Sequence, residues 1–148
     1  MAGKLTNHKK DIIKWRLKTY VDGDGGRILA KWYAGLNIQL KARFQIRVWY
    51  LLQQDRDGWN RPQFDTLSED ASGFGEIRMG KVADVQTRLV GYFQHDAFVV
   101  VAIVTKKGSK YDPTNWVNLI KQRRQEVIND QSKANEWIPQ APMAEPQE

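Results

Sequence analysis

The side chains of this 148-residue chain that are best able to act on a phosphate lie in four short patches: Glu76-Ile77-Arg78, Lys81, Arg88 inside Thr87-Arg88-Leu89-Val90-Gly91-Tyr92, and Lys106-Lys107-Gly108-Ser109-Lys110-Tyr111. A guanidinium offers forked donors and stays charged, which suits a phosphate oxygen pair, whereas a lysine acts as a mobile point charge. Arg78 has a second reading as the ion-pair partner of Glu76, and Arg88 as a side chain snorkelling at a strand end. The chain has no cysteine, so thiolate zinc sites, a cysteine nucleophile and a disulfide framework are excluded. Its two histidines, His8 and His95, are far apart in sequence, which disfavours an imidazole-rich metal site.

These patches need elements to position them. Lys14–Val21 alternates Trp15, Leu17, Thr19 and Val21 against Lys14, Arg16, Lys18 and Tyr20, the period of a half-buried strand with a basic face. Asp22-Gly23-Asp24-Gly25-Gly26 then makes a turn. A calcium loop would need Gly and Glu where Arg27 and Tyr33 stand, and no Gly-Lys-Ser/Thr follows to make a phosphate loop. Residues 27–34 and 38–54 read as two helices broken near Gly35, with Asn37 capping the second. The polar connection 55–73 follows. Residues 75–80, 85–93 and 98–105 read as three antiparallel strands. Asp112-Pro113-Thr114 opens a last helix running to about Asp130. The order β-α-α-β-β-β-α predicts a small α+β domain with a sheet of about four strands.

A two-residue turn at His95-Asp96 pairs Phe93 with Phe98, Tyr92 with Val99 and Arg88 with Ile103. That register puts Arg88 on the face of Lys107 and sends Lys106 to the other face, and a one-residue slip would exchange the two lysines. With Arg78 beside Arg88, two arginines and a lysine converge at one edge of the sheet.

Glu76-Ile77-Arg78, the Arg88 strand, Lys106-Lys107 separated by five residues from Pro113, and Arg123-Arg124 on the last helix, in this order, resemble the RelE/HigB-type toxin superfamily. The phage-derived branch, with its Glu-Leu-Arg, Tyr-Arg-Val and Phe-x-Lys-Lys-x-x-x-x-x-Pro pattern, is the most similar. The resemblance runs over about residues 14–130 and includes Trp59-Asn60-Arg61-Pro62. Thr87 stands where the family has an aromatic residue, and Val104 where phenylalanine is common. The resemblance implies a mixed sheet with two N-terminal helices on one side and a concave surface for mRNA in the ribosomal A site. The implied activity is ribosome-dependent mRNA cleavage, with the substrate's 2′-hydroxyl as nucleophile and no metal or cofactor. The implied partner is a cognate antitoxin, helix-turn-helix in type.

On that reading Arg78, Arg88, Lys107 and Tyr111 are the catalytic group, while Lys81, Lys106 and Lys110 hold RNA backbone phosphates. Cleavage needs a base for the 2′-hydroxyl, cations for the charge building at phosphorus, and a proton for the leaving oxygen. Lys107, crowded by other cations, is the candidate acid–base group, and Tyr111 orients or protonates. Two other classes share these features. One is a ParE-like inhibitor of DNA gyrase, and the other a basic RNA-binding module that stacks bases on exposed aromatics.

Residues 1–130 hold 22 Lys and Arg against 14 Asp and Glu, a net +8, which points to a polyanionic partner such as nucleic acid or the ribosome. Residues 131–148 hold one Lys against three Glu and include Pro139, Pro142 and Pro146, the composition of a disordered acidic tail. The longest apolar run, Phe98–Val104, is far short of a membrane span, and no signal peptide is read at Met1-Ala2-Gly3-Lys4, so a cytoplasmic domain spanning 1–130 is expected.

Overall fold

The first strand forms over β1 (Arg16–Tyr20), where Leu17 and Thr19 are buried and Arg16 is exposed as the alternation predicts, but Tyr20, expected on the basic face, is buried in the core on that side. This computed structural model describes residues 13–138. The helices α1 (Ile28–Ala34) and α2 (Ile38–Leu52) follow. Asn37 caps α2 as its sequence implies, its Oδ1 accepting from the Leu40 amide at 2.9 Å. The strands β2 (Phe64–Thr66), β3 (Gly75–Val82), β4 (Val85–Gln94), β5 (Ala97–Lys107) and β6 (Lys110–Asp112) come next, then α3 (Trp116–Asn129) and β7 (Ala134–Trp137).

The strands form one sheet in the order β2-β3-β4-β5-β1-β7, antiparallel throughout except for the parallel pair β1–β5. β6 folds back on β5 along the edge that β1 leaves after Val100. The architecture is α+β, but with seven strands rather than about four. The three additional strands are only three or four residues long. Pieces that short carry no readable periodicity and owe their conformation to the neighbour they pair with.

Period-two alternation divides the core between the two faces of the sheet. On one face Phe44, Val48 and Leu51 of α2 pack with Leu17, Ile77, Leu89 and Phe98. On the other, Ile120 and Val127 of α3 pack with Val90, Tyr92, Val99 and Val104. α1 is split, with Leu29 in the first cluster and Ile28 against the second.

The tail expected from residue 131 begins instead as folded structure. A turn at Gln131–Lys133 leads into β7, which pairs with β1 from Leu17↔Trp137 to Tyr20↔Ala134. The Trp137 ring lies 5.3 Å from that of Tyr33 and 5.9 Å from that of Phe44. One aromatic anchor and an open edge on β1 outweigh the polar composition of the segment. The domain therefore runs past residue 130. Residues 1–12 and the proline-containing stretch 139–148 lie outside the described residues. No described helix is long and apolar enough to cross a membrane.

Candidate nucleic-acid interface

Two irregularities in the sheet set the geometry of the basic residues. β3 and β4 are joined by a two-residue turn at Ala83-Asp84, both with positive φ, as a tight hairpin requires. Between Arg78↔Arg88 and Lys81↔Gln86 the register shifts by one. Gly80 takes φ +85° at this bulge, a conformation that favours glycine. The second irregularity lies between β4 and β5. Here Gln94↔Ala97 to Gly91↔Val100 run in the register expected from the His95-Asp96 turn, but Val90 then pairs with Ala102. Val101 is the extra residue. Gly91 permits the bulge, since a Cβ there would lie 2.1 Å from the Val99 carbonyl oxygen.

The second bulge corrects the expected face assignment. Arg88 opposes Val104 rather than Ile103, and Gln86 opposes Lys106. Lys106 therefore shares the Arg88 face. Lys107 pairs with Val85 and Lys110, which puts both of these lysines on the opposite face. The slip that exchanges the two lysines is built into the strand.

The α3-side face of the sheet then carries three successive cross-strand rows, the first two ending in Val90 and Val104 of the α3 core cluster. The first is Asp65–Glu76–Val90, the second Arg78–Arg88–Val104, and the third Lys81–Gln86–Lys106–Tyr111 across four strands. Glu76 is buried, its Oε1 3.4 Å from Arg88 Nη1 and its Oε2 4.0 Å from Arg78 Nη1. Burial pushes its carboxyl pKa upward against the opposing pull of Arg88 and Arg78. Arg88 Nη2 also donates to Gln86 Oε1 at 2.8 Å, so its guanidinium is held in a fixed orientation. Arg78 lies 3.7 Å from Asp65 Oδ2, and Asp65 in turn takes Arg61 at 2.8 Å. The contacts of Arg78 are ionic only, longer than a hydrogen bond.

Arg78, Lys81 and Arg88 border a cleft of about 320 Å³ at the β3 bulge. Its other cation is Arg47 of α2, which donates to the Arg78 carbonyl. Burial, and secondarily the charge of Arg43, lowers the Arg47 pKa from its ordinary value. Among the described residues no carboxylate pairs with Arg47, Lys81 or Lys106. Sequence reasoning missed Arg47, although a helix bearing Arg43 and Arg47 at i,i+4 with no acid between them was the available signal. Tyr111 lies beyond Lys106 in the third row, with Lys106 Nζ 5.1 Å from its ring centroid and the Trp116 ring 5.5 Å away.

No protein-family model, curated protein or solved structure matches this chain. What the site can do is therefore read from its own chemistry. Four cations surround one cleft, three of them guanidiniums and two of these held from behind by a buried carboxylate, a donor set of the kind that suits phosphate oxygens. Arg123 and Arg124, in contrast, serve the fold. Arg123 donates to the carbonyl of the bulged Val101 at 2.8 Å and stacks over Tyr20, while Arg124 stacks over Phe74.

Proposed function

We propose that this chain is the toxin of a toxin–antitoxin pair, a RelE-like endoribonuclease that cuts mRNA on the ribosome. The observation that carries the reading is the convergence of Arg47, Arg78, Lys81 and Arg88 on one cleft, with Lys106 and Tyr111 continuing the same surface. The scissile phosphate is held by the Arg78 and Arg88 guanidiniums, and Lys81 takes a flanking phosphate. The 2′-oxygen attacks phosphorus as the bond to the 5′-oxygen breaks, leaving a 2′,3′-cyclic phosphate and a 5′-hydroxyl. A base accepts the 2′-hydroxyl proton, and an acid supplies one to the leaving oxygen. Lys106 takes the acid–base place expected of Lys107, because it is the lysine on the Arg88 face, and Tyr111 lies next to its ammonium. Lys107 and Lys110 have no part in this step.

Expression of the wild type in bacteria should arrest growth and leave transcripts cut at codon-spaced positions, while Arg88→Ala should do neither. Identical growth and identical transcript ends for the two would end the enzymatic reading. A binding-only module has one observation in its favour, that Glu76 and Asp65 already oppose the two arginines. It predicts salt-sensitive RNA binding without new transcript ends.

A further inference from the structure

The outer face of α2 plays no part in the cleft. Ile38, Ala42, Ile46 and Tyr50 follow at intervals of four residues, which brings them onto one side of the helix. Ile38 is 78% exposed, Ile46 57% and Tyr50 42%, and Ala42 is exposed as well. The positions between them on that side are Gln39, Trp49 and Gln53, so no charge interrupts the surface. The opposite stripe, Phe44, Val48 and Leu51, is already buried against the sheet. α2 thus carries two apolar stripes, whereas a surface helix normally carries one and sets charge opposite to it. Single exposed apolar residues are ordinary, but three large ones aligned on one helix mark an interaction surface.

The charges of α2 say what would cover it. The helix has Lys41, Arg43 and Arg47 and no acidic residue. At about 100° per residue, Arg43 borders the outer stripe on one side, with Arg47 further round that flank toward the cleft, and Lys41 approaches the stripe from the other side. We infer that this face docks an amphipathic helix of a partner protein, apolar along its centre and acidic along its flanks. A second copy of this chain is a poor occupant, because α2 laid on α2 would set Arg43 and Arg47 against cations with no acid on either helix. Residues 139–148 supply Glu145 and Glu148 but only one large apolar side chain, Met143, and so cannot form the matching stripe. Arg47 reaches from this flank into the cleft, so a docked helix would border the cationic site. The inference needs only the surface of α2 and does not rest on the ribonuclease reading.

The test is a displayed library of 20-residue helices with leucine fixed along one stripe and either Glu or Lys at each flanking position, panned against the full chain. Binders to the wild type should be enriched in Glu at the flanks. They should weaken at least tenfold on the double variant Ile38→Asp/Ile46→Asp, whose exposed substitutions leave the melting temperature unchanged. Arg43→Glu should shift the enrichment toward Lys, which keeps the test decisive even if the double variant misfolds. Absence of enrichment, enrichment without a charge preference, or binding indifferent to Ile38 and Ile46 would overturn the inference. So would a dimer in sedimentation that Ile46→Asp dissolves, or backbone amide shifts in residues 139–148 that move with Ile46→Asp.

Discussion

At the residue scale, Glu76 decides how the arginines are presented. Its side chain is 5% exposed and faces two guanidiniums, yet burial dominates and raises its pKa. The folded chain therefore holds this proton more tightly than the unfolded one. The stability so gained is complete below the unfolded carboxyl range and is lost as pH rises through the folded value. Glu76→Gln removes the titration. The melting temperature of that variant relative to wild type should accordingly rise between pH 4 and pH 7, as read by thermal denaturation at both. A difference that falls over the interval would contradict the burial of this carboxyl. Glu76 and Arg78 are legible in the sequence as neighbours on one strand face. The contact with Arg88 is not, because it depends on the register between two strands.

At the scale of elements, the bulges matter more than the strands. Two-residue turn chemistry at His95-Asp96 was enough to place Phe93 opposite Phe98 and Tyr92 opposite Val99. The same counting fails four residues further on, since Val101 is accommodated as an extra residue where Gly91 lets the backbones approach. That single insertion moves Lys106 to the Arg88 face and Lys107 away from it. Lys106→Ala should weaken binding of single-stranded RNA several-fold and reduce its dependence on log salt by about one unit. Lys107→Ala should leave affinity within about twofold. Fluorescence anisotropy at several salt concentrations separates the two, and equal effects would show that the face assignment does not govern binding. α2 was legible almost to the residue, because a 15-residue helix repeats its signal over four turns and carries its own N-cap.

At the scale of the whole molecule, the final strand closes the sheet on the far side of β1. Trp137 brings β7 onto Tyr33 and Phe44, tying it to the first core cluster. Trp137→Ala should lower unfolding free energy by about 2 kcal/mol, less than for a fully buried tryptophan because this one is only partly buried. Urea denaturation measures it, and a loss under about 0.5 kcal/mol would mean that β7 contributes little to the fold. At the other end of the strand order, beside β3, Arg47 of α2 lines the cationic cleft.

The amino-acid sequence by itself determined the longer helices and strands, the absence of thiol chemistry, the basic excess of the body and which arginines and lysines were worth watching. These properties follow from composition and from periodicities that repeat within one segment. Tertiary structure decided which lysine joins the arginines, that α2 contributes Arg47 to the cleft, and that residues 134–137 complete the sheet. Each of those outcomes depends on register or on contact between segments distant in the chain. A single extra residue between paired strands reverses the faces, and nothing local to either strand records where that residue will be absorbed.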